Sequence, residues 1–151
     1  MIIKYMKTII KFILFFYFVI STFTVANGSE KFFEKGLKLF NDKKYEDARF
    51  MFERSIVFNP KASNSYLYLA KIYNIQEDQS KEEKNLEATL LIEPTNEEAI
   101  LMSMKIALER SNYSKVKDLS DTFSKVCKNL CLENKEILET LANLEPKTNE
   151  S

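Results

Sequence analysis

Phe-Glu-Arg-Ser-Ile-Val-Phe-Asn-Pro at 52–60 and Leu-Glu-Ala-Thr-Leu-Leu-Ile-Glu-Pro at 86–94 are one phrase written twice, and the interval between them decides the fold. Pro60 and Pro94 stand 34 residues apart, each closing a run of helix formers. The same step pairs Phe32 with Tyr66, Gly36 with Ala70, Leu39 with Tyr73 and Phe52 with Leu86, matching aromatic to aromatic and small to small. A period of that size marks helical hairpins that bury their apolar faces against their neighbours.

Working outward, the chain divides into three such units, about 29–62, 63–96 and 97–131, followed by a capping helix at 132–145 and a polar tail at 146–151 expected to be disordered. Helices are expected from Glu30 to about Asn41, Tyr45 to Phe58, Tyr66 to about Gln76, Lys81 to Glu93, Glu97 to about Arg110, and Glu133 to about Leu144. Val116, Leu119, Phe123 and Val126 form the apolar stripe of another helix, the partner of 97–110. Ser29 is expected to cap the first helix, and Ser80 with Glu83 and Thr95 with Glu98 read as capping boxes. Leu86, Leu90 and Leu91 are expected on the buried side of the fourth helix. Only two Gly and three Pro in 151 residues favour helix throughout.

The recurring residues also resemble a known family. Phe32, Gly36, Leu39, Ala48, Phe52 and Pro60 are similar to the tetratricopeptide pattern of an aromatic, a small residue one turn on, a large apolar residue, then Ala, Phe and a closing Pro. Lys35 and Glu82 depart from it, Glu82 standing where an alanine is expected 34 residues after Ala48. The resemblance implies an all-α fold, a right-handed α-solenoid of about three hairpins plus the capping helix. It also implies that the first helix of each hairpin lines a concave surface that takes a partner peptide or domain. On this chain that surface would draw on Phe33, Leu37, Asn41, Leu67, Lys71, Asn74, Leu101, Lys105 and Leu108. Lys71 and Lys105 are one period apart, so they read either as an aligned cationic pair for an acidic segment or, more simply, as solvated lysines. The family's clamp for peptide C-termini needs Asn where Leu37 stands and is not carried over. Phe33 and Phe40 read as core residues ahead of an exposed anchor for a partner or membrane.

Composition removes most chemistry. Without histidine there is no Ser-His-Asp triad and no HExxH zinc site, and two glycines cannot write a Walker loop or a dinucleotide fingerprint. No cofactor, no metal and no enzymatic activity are expected. Cys127 and Cys131 are the one specific chemical pair; four apart, in an oxidising compartment, they are read as a disulfide that pins the junction before the capping helix.

Residues 1–26 read as a secretory signal. Lys4, Lys7 and Lys11 precede an apolar run from Phe12 to Ile20, and Thr24 with Ala26 fits a small-x-small cleavage site. The uncharged stretch 12–26 is 15 residues, short of the roughly 20 that a spanning helix needs. An uncleaved anchor is the alternative. The whole chain carries 22 basic and 22 acidic residues; losing three lysines with the leader leaves 19 against 22, a net charge of −3. Such a balance offers nothing to nucleic acid. The expected location is periplasmic or secreted, with the membrane as a partner only through an uncleaved N-terminus.

Overall fold

Each hairpin turn is written in the backbone as a left-handed residue, and these residues recur at one interval: Lys43, Glu77 and Ser111, with φ of 59°, 58° and 54°. In this computed structural model, which describes residues 9–13 and 28–144, each one ends a helix. The next N–H reaches back to satisfy an end carbonyl, Lys44 to Leu39 O, Asp78 to Tyr73 O and Asn112 to Ala107 O, at 2.8–2.9 Å. This is how a helix whose last carbonyls lack partners is closed tightly enough for the chain to reverse. The expected signal segment 1–26, apart from 9–13, and the expected tail 146–151 lie outside the described residues.

Between these turns run α1 (described over 28–41), α2 (Tyr45–Phe58), α3 (Ser63–Ile75), α4 (Gln79–Ile92), α5 (Glu97–Glu109), α6 (Tyr113–Val126) and α7 (Cys131–Leu144). No strand occurs among the described residues. The fold is an all-α helical-repeat solenoid. α3, α5 and α7 begin 34 residues apart, as do α2, α4 and α6. Pro60 and Pro94 hold equivalent places, one residue after Asn59 and Glu93, whose N–H groups return to Ser55 O and Thr89 O; the N–H of Cys127 does the same to Phe123 O without a following proline.

The chain separates into two compact units, one ending at Ser65 and the other starting at Tyr66. In the first, α1 and α2 run antiparallel: Phe32 stacks on Phe58 at 5.2 Å, Phe33 lies 5.7 Å from Phe52, and Phe40 meets Tyr45 edge-on at 5.5 Å. Phe33 and Phe40 therefore each pack one side against α2 while staying half-buried. Gly36 is required by the ring of Phe52, since a Cβ there would lie 2.7 Å from Cε1. In the second unit, Leu67, Ala70, Leu86, Ala99 and Ile106 form one apolar cluster across α3, α4 and α5. Ile100, Met104, Val116, Phe123, Ile137 and Leu141 form the heart of another across α5, α6 and α7.

Equivalent core positions trade volume between units. Phe52 and Ser55 become Leu86 and Thr89, then Ser120 and Phe123, and all six are buried. The bulky side chain moves one turn along the third unit's second helix while the pair stays large-plus-small, as close packing demands.

Several sequence expectations shift. Asp78, not Ser80, caps α4 by accepting the N–H of Lys81 at 3.1 Å, and Asn96, not Thr95, caps α5 by accepting that of Ala99 at 3.0 Å. Ser29 spends its hydroxyl on Ser55 O of α2 at 3.1 Å instead of on a helix cap. α3 starts at Ser63, three residues before Tyr66, and α7 at Cys131, two before Glu133. Leu91 is 84% exposed, because the buried stripe of α4 runs through Glu82, Leu86 and Thr89 and leaves position 91 off its arc.

Candidate partner-binding site

The residues expected to line a concave face do not share one environment. Leu67 and Leu101 are buried in the core, one in each apolar cluster of the second unit, so neither presents a surface to a guest. Leu108 packs half-buried against the α5–α6–α7 cluster. Phe33 and Leu37 are half-buried on α1, Asn41 is exposed at its end, and Lys105 is exposed on α5. Asn74 donates its side-chain amide to Glu82 at 3.1 Å.

Lys71 is not one of two free aligned cations. Its ammonium sits 2.8 Å from the Glu98 carboxylate and 4.4 Å over the Tyr68 ring, because the first turn of α5 brings Glu98 beside α3. The equivalent Lys105 is exposed to water on α5.

A cleft of about 340 Å³ opens in the first unit, lined by Phe33 and Glu30 of α1, by Asn59, and by Lys61, Ser63 and Asn64 leading into α3. Its floor is a closed hydroxyl network. Ser65 Oγ donates to Ser55 Oγ at 2.9 Å, Ser55 Oγ donates to Ser29 O at 3.0 Å, and the hydroxyls of Ser29 and Ser55 lie 3.0 Å apart. These three serines are buried with their hydrogen bonds met, which fixes the walls and leaves the rim to act. The rim offers one aromatic edge, the amide groups of Asn59 and Asn64, and one charge of each sign. That combination suits an extended peptide, whose backbone needs donors and acceptors beside an apolar contact. Serines 29, 63 and 65 read as helix-start residues in the sequence, which does not announce a cleft; the alignment of Ser29 and Ser63 at one period is the available signal.

In the second unit a second feature surrounds the cysteines. Cys127 and Cys131 are paired, with Cα atoms 5.5 Å apart, across the short non-helical link between α6 and α7. The freed N–H groups of Lys128, Asn129 and Leu130 all point at the Glu97 carboxylate, at 2.9, 3.0 and 2.9 Å. These bonds, that of Leu130 foremost, hold the Glu97 carboxyl below its ordinary range. Reduction of the bridge is expected to cost about 2 kcal/mol on the chain-entropy account for so small a ring. Urea denaturation with and without reductant reads the loss, and thiol labelling checks the bridge itself, since wild-type protein from an oxidising compartment should react only after reduction.

Glu82 behaves oppositely. It is 4% exposed at the position where the repeat expects alanine, and burial pushes its carboxyl up, opposed by the Asn74 amide and aided by Glu109 and Glu83. The signs separate the two groups. Glu97, depressed in the folded chain, adds stability above its unfolded value that is lost as pH falls through its folded one; Glu82, raised, withholds stability at neutral pH and returns it as pH falls. Denaturation at several pH values should therefore show Glu97→Gln less stable than wild type at pH 7, with the gap closing in acid. Glu82→Gln should be more stable than wild type at pH 7, and that gain should also close in acid.

No protein-family model and no curated protein sequence matches the chain. Solved structures do. The chain is similar to the first tetratricopeptide domain of Spaghetti (RPAP3) bound to an HSP90 peptide, with 16% identity and a TM-score of 0.66 over 78% of this chain and 95% of that one. It is also similar to the Yersinia enterocolitica type III secretion chaperone SycD in complex with a peptide of the translocator YopD, with 13% identity and a TM-score of 0.68 over 76% and 92%. A third likeness is to the Arabidopsis OM64 tetratricopeptide domain, with 18% identity and a TM-score of 0.65 over 79% and 98%. At such identities the likeness is one of fold, and the fold is tetratricopeptide-like.

Proposed function

We propose that this chain is a non-enzymatic adaptor that holds an extended segment of a partner protein, and that it works outside the cytoplasm after its N-terminal segment has directed export. The observation that carries the reading is the Phe33 cleft, which sets backbone-bonding groups beside an aromatic wall on a rigid floor. Two of the similar structures hold peptides, which supports a peptide as the kind of guest. Asn41, exposed on α1 of the first unit, and Lys105, exposed on α5 of the second, are each proposed as partner-contacting positions. Leu37 shares α1 with Phe33, and in the second unit the Lys71–Glu98 pair and the Asn74–Glu82 bond fix the α3 surface without supplying a free charge.

Crosslinking in the native envelope identifies the partner, and a synthetic segment of it then binds the purified full chain in calorimetry. Phe33→Ser should weaken that binding at least about tenfold, the value of one lost aromatic contact. Unchanged affinity would remove the cleft from the site.

A further inference from the structure

We propose that the outer face of α2 docks on the lipid–water interface of a membrane, beside the point where the N-terminal apolar run joins the fold. This goes beyond the adaptor reading and does not depend on the cleft. Phe50, Arg54, Val57 and Phe58 follow one another at helical spacing on α2 and form a single stripe. Phe50 is 53% exposed and Val57 79%, although a short two-helix unit gains most by burying such groups. The guanidinium of Arg54 lies 4.8 Å over the Phe32 ring and 5.5 Å from that of Phe50. Phenylalanine rings and a valine with a guanidinium among them suit a helix lying in a bilayer surface, where the apolar groups sink to the headgroup boundary and the guanidinium meets phosphates.

The chain itself indicates what covers this face. Phe58 packs so closely on Gly28 that a Cβ there would lie 2.9 Å from its ring, so the stripe ends where the chain enters α1. Upstream, the apolar run Phe12 to Ile20 stops eight residues before Gly28. That gap spans at most about 27 Å, and the stripe itself covers only about 12 Å of helix. With the run inserted in a bilayer, the stripe is tethered within about 27 Å of the surface of the same bilayer. With the leader removed, the stripe alone gives reversible binding of the kind an interfacial helix makes.

The protein contains no tryptophan, so Val57→Trp supplies a single indole in the full chain, excited beyond the absorption band of the tyrosines. Glu34→Trp is the control. Position 34 is exposed and, two residues from Phe32, faces the far side of α1. Both variants are reconstituted in vesicles of phosphatidylcholine and phosphatidylglycerol, with circular dichroism confirming helix content. The indole of Val57→Trp is expected to blue-shift and lose most of its emission to lipids brominated near the headgroup, while that of Glu34→Trp keeps a water-like spectrum. A water-like spectrum from Val57→Trp in vesicle-bound protein overturns the proposal. Equal quenching of the two variants overturns it as well, and so does a Val57→Trp emission already blue-shifted without lipid, which would mean that the N-terminal run or a second copy covers the stripe.

Discussion

Phe52→Ala is expected to destabilise the protein by about 3–5 kcal/mol, the cost of removing a wholly buried aromatic ring whose site cannot collapse. The ring has no exposure and fills the space that Gly36 leaves open on α1, with Phe33 against it. Collapse would need α1 and α2 to close further, and the Phe32–Phe58 and Phe40–Tyr45 contacts at either end hold them apart. Urea denaturation followed by circular dichroism gives the loss, with Phe50→Ala on the same helix as a control expected to change stability little. A loss below about 1 kcal/mol for Phe52→Ala would mean that the hairpin does not close on that ring.

Phe123→Ala is expected to cost a similar amount, about 3–5 kcal/mol, and to loosen the end of the second unit. Phe123 is fully buried in the cluster that joins α5 and α6 to Ile137 and Leu141 of α7. Its neighbour one turn back is Ser120, too small to fill the void. Hydrogen exchange provides the local reading. The amides of Ile137 and Leu141 should lose protection in the variant, while the disulfide and the Glu97 bonds keep α7 attached at its start. Unaltered protection along α7 would show that the closing helix does not rely on this core.

The periodic parts of the fold were legible because they follow from spacing alone. Pro60 and Pro94 fall at equivalent helix ends, and Gly36 lies against the partner helix as its size requires. The left-handed turn residues were not legible, since Lys43, Glu77 and Ser111 carry none of the glycine that usually marks them. Cap assignments slipped by one or two residues where several polar residues compete, as at Asp78 and Ser80; the periodic match of Asp78 with Asn112, which caps α6 by accepting the N–H of Lys115, settles the place.

The candidate site was only partly readable, for a physical reason. A helix flanked by neighbours on two sides needs an apolar arc wider than one stripe, so Leu67 and Leu101, placed on an open face by the family resemblance, are drawn into the core. The cleft in the first unit depends on hydroxyls whose partners lie 10 and 26 residues away, and no local pattern announces such bonds.

The adaptor reading rests on the partner meeting the first helix of a hairpin and not the second. Photo-crosslinking residues placed one at a time at Asn41 and Lys105, exposed on α1 and α5, and at Glu87 and Asp121, exposed on α4 and α6, test this in the native cell. The account predicts adducts from positions 41 and 105 and none from 87 and 121. Adducts that form from 87 and 121 while 41 and 105 stay silent would contradict it.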